Sequence, residues 1–176
     1  MAKKSGGKKK KSVEVDATHL VLSCIDHRCT DDLASVVHHL IDEPQQWNRY
    51  DHIALPGASL GIVQHMFPAW GEAFWQQFGA ALTLHPKITT VLLVDHLHCG
   101  AYKLFYTAVD DREYDGSSRD AHDRITGRLK RKLEKRYPSL KVERWVLEPR
   151  DEDALDWRVT NLDDPDESYD CHEHDE

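Results

Sequence analysis

The sequence predicts an α/β fold, with a single domain built on a mostly parallel sheet of about four strands and flanking helices. Short apolar runs alternate along the chain with longer amphipathic stretches, which is the order of repeated strand–helix–strand units. The apolar runs are hydrophobic at consecutive positions, so we expect both faces of the sheet to be covered. A chain of 176 residues is long enough for one such domain and short for two.

Each strand is expected where branched apolar residues are dense, and the clearest case is ITTVLLVD at 88–95. The expected strands are 18–25, 52–55, 88–95 and 141–148. Helical spacing of apolar residues predicts helices at 30–41, 59–67, 70–84, 100–109 and 119–137. Pro68 is expected to separate the second helix from the third, and Pro138 to follow the last.

The two ends of the chain differ in charge from its middle. Residues 1–12 contain six lysines and no acid, and we expect a disordered basic tail there. Residues 151–176 contain twelve Asp or Glu against one Arg, which favours an acidic, flexible C-terminal tail. The domain proper is therefore expected at 13–150. The formal net charge of -8 leaves no basic face for nucleic acid, so nucleic-acid binding is not expected.

Composition also bears on the compartment in which the protein works. The N-terminal region has no signal-peptide pattern, and no apolar run approaches the roughly 18 residues that a membrane span needs. Four cysteines at irregular spacing favour reduced thiols that are available for a metal or for catalysis. We therefore expect a cytoplasmic protein that does not interact with membranes.

The stretch VLSCIDHRCTDD at 21–32 ends an apolar run in polar residues at alternate positions. Cys24, Asp26 and Arg28 would share one face if the backbone stays extended. Parallel sheets form their functional sites at the carboxyl ends of strands, and this is where Cys24 falls.

A second stretch, VLLVDHLHCGAY at 91–102, leaves its strand with His96 followed by Cys99. Cys24, His96 and Cys99 together offer two thiolates and one imidazole. This donor set suits zinc, and a set of three protein ligands with a vacant fourth position is typical of catalytic zinc sites.

The two motifs, CIDHR and HLHCG, resemble the signature of the β-class carbonic anhydrases. The resemblance implies zinc held by Cys24, His96 and Cys99, with Asp26 and Arg28 as a catalytic dyad beside the open position. It implies a zinc lyase, a carbonate dehydratase that reversibly hydrates CO2 to bicarbonate through a zinc-bound hydroxide. It also implies a β-carbonic-anhydrase-like sheet of order 2-1-3-4, and a homodimer or a higher even oligomer.

Other functions stay open. A zinc hydroxide at such a site could instead hydrolyse carbonyl sulfide or carbon disulfide. The chain could also be a non-catalytic, zinc-stabilised binding module, because the stretch ALPG at 54–57 departs from the Arg-Asn-Ala-Gly of the resembled family. A thiol phosphatase is disfavoured because Cys24 and Arg28 are too close in sequence to enclose a phosphate-binding loop.

Overall fold

The computed structural model describes residues 16–41, 49–150 and 156–171. The expected basic tail at 1–12 lies outside these residues. Six strands form one sheet: β1 His19–Ser23, β2 Tyr50–Ala54, β3 Thr90–His96, β4 Lys141–Pro149, β5 Trp157–Asn161 and β6 Ser168–Asp170. The α-helices of the described residues are α1 Thr30–Leu40, α2 Ser59–Val63, α3 Pro68–Leu84, α4 Gly100–Phe105 and α5 Arg119–Arg136. Short 3-10 turns at His27–Cys29 and Tyr106–Ala108 precede α1 and follow α4.

The α/β class and the parallel arrangement of the first four strands are confirmed. The strand order is β2-β1-β3-β4-β5-β6, and β1 to β4 are parallel, so the order 2-1-3-4 is present among them. The expectation of a mostly parallel sheet of about four strands is wrong for the sheet as a whole. Strands β5 and β6 extend it in antiparallel pairing beyond β4, which makes a mixed sheet of six strands.

The additional strands come from the segment that we expected to be a flexible acidic tail. Trp157 and Val159 of β5 are buried and pack into the core, whereas Arg158 between them is exposed. Arg158 Nε donates to Asp170 of β6 at 2.9 Å, so acids of this segment are used in cross-strand contacts. This segment forms strands because β5 buries Trp157, Val159 and Thr160, which its acidic composition conceals.

The sheet has a core on each face, as the two-sided apolar strands predict. One face packs against α1 through Leu33, Val36 and Val37. The opposite face packs against residues of α2, α3, α4 and α5, including Phe74, Phe78 and Ile125. All seven residues of β3 are buried, because β3 lies in the interior of the sheet. None of the helices in the described ranges has the length and apolar character required to cross a bilayer.

Candidate metal centre

The three predicted ligands come together at the carboxyl ends of β1 and β3. Cys24 directly follows β1, His96 is the last residue of β3, and Cys99 precedes the first residue of α4. Strands β1 and β3 are hydrogen-bonded neighbours, so their ends meet at one edge of the sheet. Between the last two ligands, His98 adopts a φ of +56°, which closes a tight turn. As a result, one ligand atom from each of the three residues lies within 4.8 Å of the others.

The ring of His96 is oriented as a metal ligand would be. Its Nδ1 donates to the backbone carbonyl of Leu97 at 2.9 Å, so Nε2 is the nitrogen that remains for a metal ion. Burial opposes a charge on the ring, but contacts with the thiols of Cys24 and Cys29 raise the pKa of His96 to about 10, so a metal ion would displace a proton from Nε2. His96 is only 2% exposed, and its Nε2 has no hydrogen-bond partner in the described part of the chain. A buried ring nitrogen without a partner is costly, and a metal ion at this point would supply one. The donor set therefore fits a metal ion.

The two thiol groups are close enough to interact directly. Cys24 Sγ lies 3.8 Å from Cys99 Sγ, and the backbone N–H of Gly57 donates to Cys24 Sγ at 3.3 Å. The hydrogen bond with Cys99 lowers the pKa of Cys24 to about 4 despite partial burial, and the same contact raises the pKa of Cys99. In the metal-free pair, ionisation of Cys24 therefore opposes ionisation of Cys99. A divalent cation bound between the sulfurs would favour the second thiolate as well.

Asp26 and Arg28 form a two-point ion pair next to the ligand cluster. Arg28 Nε donates to Asp26 Oδ1 at 3.0 Å, and a terminal nitrogen of Arg28 donates to Oδ2 at 2.7 Å. The backbone N–H of Arg28 also donates to Oδ1. These contacts with Arg28 lower the pKa of Asp26 to about 2, so the carboxylate is charged at neutral pH. Its Oδ2 lies 3.8 Å from His96 Nε2, which places a fixed anion beside the candidate metal position.

Two histidines near the site that carry no predicted role have identifiable contacts. Arg28 Nη2, which also contacts Asp26, donates to the backbone carbonyl of His98 at 3.2 Å. This hydrogen bond connects the two motifs. The imidazole of His27 is exposed to solvent, and its Nδ1 lies 3.8 Å from Asp26 Oδ1. The side chain of His98 is also exposed, so its contribution to the site comes from its backbone.

A buried hydrogen-bond network that the motifs did not indicate supports the ligands. Asp95 Oδ1 accepts from the backbone N–H of Ser59 at 3.2 Å. Its Oδ2 accepts from the Tyr102 hydroxyl at 2.5 Å and lies 3.3 Å from His122 Nδ1. The carboxylate thereby joins α2, α4 and α5 to β3 immediately before His96. The sequence does contain one indication of this network: Asp95 is an acid inside an otherwise apolar strand, and such a residue requires buried partners.

Comparisons with known proteins give relatives but no function. No family model matches the chain. An uncharacterized protein of Rickettsia bellii is 28% identical over 132 residues, which is 75% of this chain and 77% of the relative. An uncharacterized protein of Rickettsia conorii is 26% identical over 134 residues, which is 75% of this chain and 68% of the relative.

Proposed function

We propose that this chain is a zinc-dependent carbonic anhydrase of the β-class type, which catalyses the reversible hydration of CO2 to bicarbonate. One observation carries the proposal. A buried cluster of two thiols and an imidazole, whose Nε2 has no described hydrogen-bond partner, lies beside a carboxylate that an arginine fixes in place.

The chemistry of the donors favours zinc among the common metals. Thiolate and imidazole together are typical zinc ligands, whereas calcium and magnesium prefer oxygen. Cys24, His96 and Cys99 would hold the ion and leave a fourth position for a water or a substrate. When bound, zinc would lower the pKa of a coordinated water towards neutrality and so supply a nucleophile for CO2.

The neighbouring pair supports a catalytic site over a purely structural one. Asp26 is anionic, and its Oδ2 can accept a hydrogen bond from a group in the open position and so orient it. Arg28 keeps that carboxylate in one orientation through two parallel hydrogen bonds. A structural zinc site usually closes with a fourth protein ligand and does not need such a pair.

Metal analysis coupled to activity measurements on one sample tests the proposal. We expect about one zinc per chain after purification, and stopped-flow CO2 hydration that is lost with a chelator and restored by zinc. Cys99→Ser should lose zinc during dialysis against a weak chelator, whereas the matched variant Cys171→Ser at a buried cysteine outside the cluster should keep it.

The same samples separate the remaining alternatives. Sulfide release from carbonyl sulfide or carbon disulfide without CO2 hydration would replace the proposal with a hydrolase. One zinc per chain without turnover of any of the three substrates would replace it with a zinc-stabilised binding module. Absence of stable zinc binding would overturn the metal assignment.

A further inference from the structure

A cationic pocket lies where the end of α2, the segment after the second 3-10 turn and one face of α5 meet. Its volume is about 390 Å³, and no acidic residue of the described ranges lines it. Four of its cationic side chains come from α5, at spacings of three and four residues: Arg128, Arg131, Lys132 and Lys135. His65 adds an imidazole, and Val63 and Val109 supply apolar surface.

The charge on this face of α5 is unfavourable for the isolated helix. Like charges lie four residues apart in two pairs, Arg128 with Lys132 and Arg131 with Lys135. Each such pair destabilises a helix by roughly 0.2–0.5 kcal/mol. The charge of Lys130 on the same helix is compensated, because its Nζ lies 3.0 Å from a carboxylate oxygen of Asp163. The chain has more acids than bases, yet none of the acids that the structure describes lines this pocket.

Most of the cations in the pocket have no acidic partner among the residues that the structure describes. Arg128 contacts Asp110 at 3.0 Å, but Arg131, Lys132 and Lys135 make no ion pair within the described ranges. Their positive charge is therefore available to an anion.

A neighbouring depression of about 560 Å³ differs from the cationic pocket in the charge of its lining. It shares Arg128 and Arg131 with the cationic pocket but is also lined by Asp123, Glu134 and Asp163. Arg144, which also lines it, pairs with Asp123 at 2.6 Å and with Asp163 at 2.5 Å. Because its charges neutralise one another, this depression is not the better anion site.

We propose that the cationic pocket binds a small organic phosphate, a phosphomonoester with a compact apolar group. Three cations without an ion pair in the described part of the chain favour a dianion with several acceptor oxygens over a monovalent carboxylate. Val63 is buried and Val109 is partly buried, so they offer a contact for the apolar group. The volume falls in the lower part of the range for small-molecule sites, and the net charge of -8 opposes long polyanions such as nucleic acids.

Isothermal titration of the full chain with phenyl phosphate tests this site. We expect saturable binding of one ligand per chain, weaker binding of inorganic phosphate and of benzoate at equal ionic strength, and no binding of phenol. Lys132→Gln and Lys135→Gln should each weaken phenyl phosphate binding by about fivefold or more, because each removes one charge-assisted contact. The matched control is Lys141→Gln, which removes the same charge from an exposed lysine of β4 outside the pocket.

The variants also distinguish this pocket from the candidate metal centre. An anion that binds at the cysteine–histidine cluster would keep its affinity in Lys132→Gln and Lys135→Gln. The proposal is overturned by absence of saturable binding, by equal affinities in the pocket variants and wild type, or by equal affinities for phenyl phosphate and inorganic phosphate. Unchanged thermal unfolding of the glutamine variants would show that their fold is intact.

Discussion

Asp95 is the residue whose contacts connect the candidate metal centre to the rest of the core. Its carboxylate is buried and accepts hydrogen bonds from Ser59 and Tyr102, and it faces His122. These partners lie on three different helices, so one side chain fixes three elements against β3 next to His96. A buried acid with these contacts holds the site in place only while the acceptor oxygens remain.

Replacing Asp95 with Asn should therefore destabilise the protein. The amide would direct an N–H group at a hydroxyl or an imidazole N–H that had donated to the carboxylate. We expect the free energy of unfolding to fall by about 2–4 kcal/mol, as measured by urea denaturation. Asp111→Asn, at an exposed position, should change it by less than about 0.5 kcal/mol. Equal stabilities of the two variants would show that the network contributes little.

At the scale of elements, the turn between β2 and α2 depends on Gly57. Its φ is +73°, and a Cβ at this position would lie 3.1 Å from the Cβ of Ala101 on α4. Its N–H also donates to Cys24 Sγ. The glycine thus permits both the left-handed backbone and the close approach of the turn to the ligand cluster.

Gly57→Ala should accordingly destabilise the fold by about 1–3 kcal/mol in thermal or urea unfolding. The matched control is Gly79→Ala in α3, where an added Cβ would have no heavy atom within 4 Å. At that helical position, alanine should raise the free energy of unfolding by about 0.5–1 kcal/mol. If both variants move stability in the same direction, the conformation assigned to Gly57 is wrong.

Strand β5 joins the sheet through a tryptophan that also borders the site. Trp157 is fully buried, and its ring centroid lies 6.1 Å from that of His96. Trp157→Ala should lower the free energy of unfolding by about 3–5 kcal/mol, whereas Trp157→Phe should cost much less because it keeps an aromatic ring in the core. Denaturant unfolding followed by circular dichroism measures both. A negligible cost for the alanine variant would support the original expectation of a flexible tail.

The sequence could predict the parallel strands because they follow from local patterns, whereas the meeting of the ligands was expected from the resemblance, which implies that the first and third strands are neighbours. Apolar runs such as 88–95 indicate buried strands, and adjacent parallel strands bring Cys24 and His96 to one edge. The outer strands were not predictable in the same way, since acids dominate the segment around Trp157 and Val159. The partners of Asp95 come from three separate helices, and such contacts depend on tertiary packing.

At the scale of the whole molecule, the homodimer that the resemblance implies stays a prediction, and exposed apolar side chains offer a way to test it. The exposed large apolar side chains include Met66, Phe67 and Leu104, and the rings of Trp70 and Phe105 lie against Phe67. Apolar surface of this kind is often covered by a partner. We expect light scattering to give about twice the 20.3 kDa of one chain, and Phe67→Glu to shift the mass towards one chain. A wild-type mass of one chain would contradict this expectation.

The central claim is that the cysteine–histidine cluster and Asp26 form a catalytic centre. The most direct measurement is stopped-flow CO2 hydration at mildly alkaline pH by wild type and Asp26→Asn with equal zinc contents. The variant keeps all three ligands and should keep the metal, but its amide lacks the charge that accepts a proton and pairs with Arg28. We expect a loss of about 100- to 10,000-fold. Wild-type turnover in a zinc-loaded Asp26→Asn variant would contradict the account.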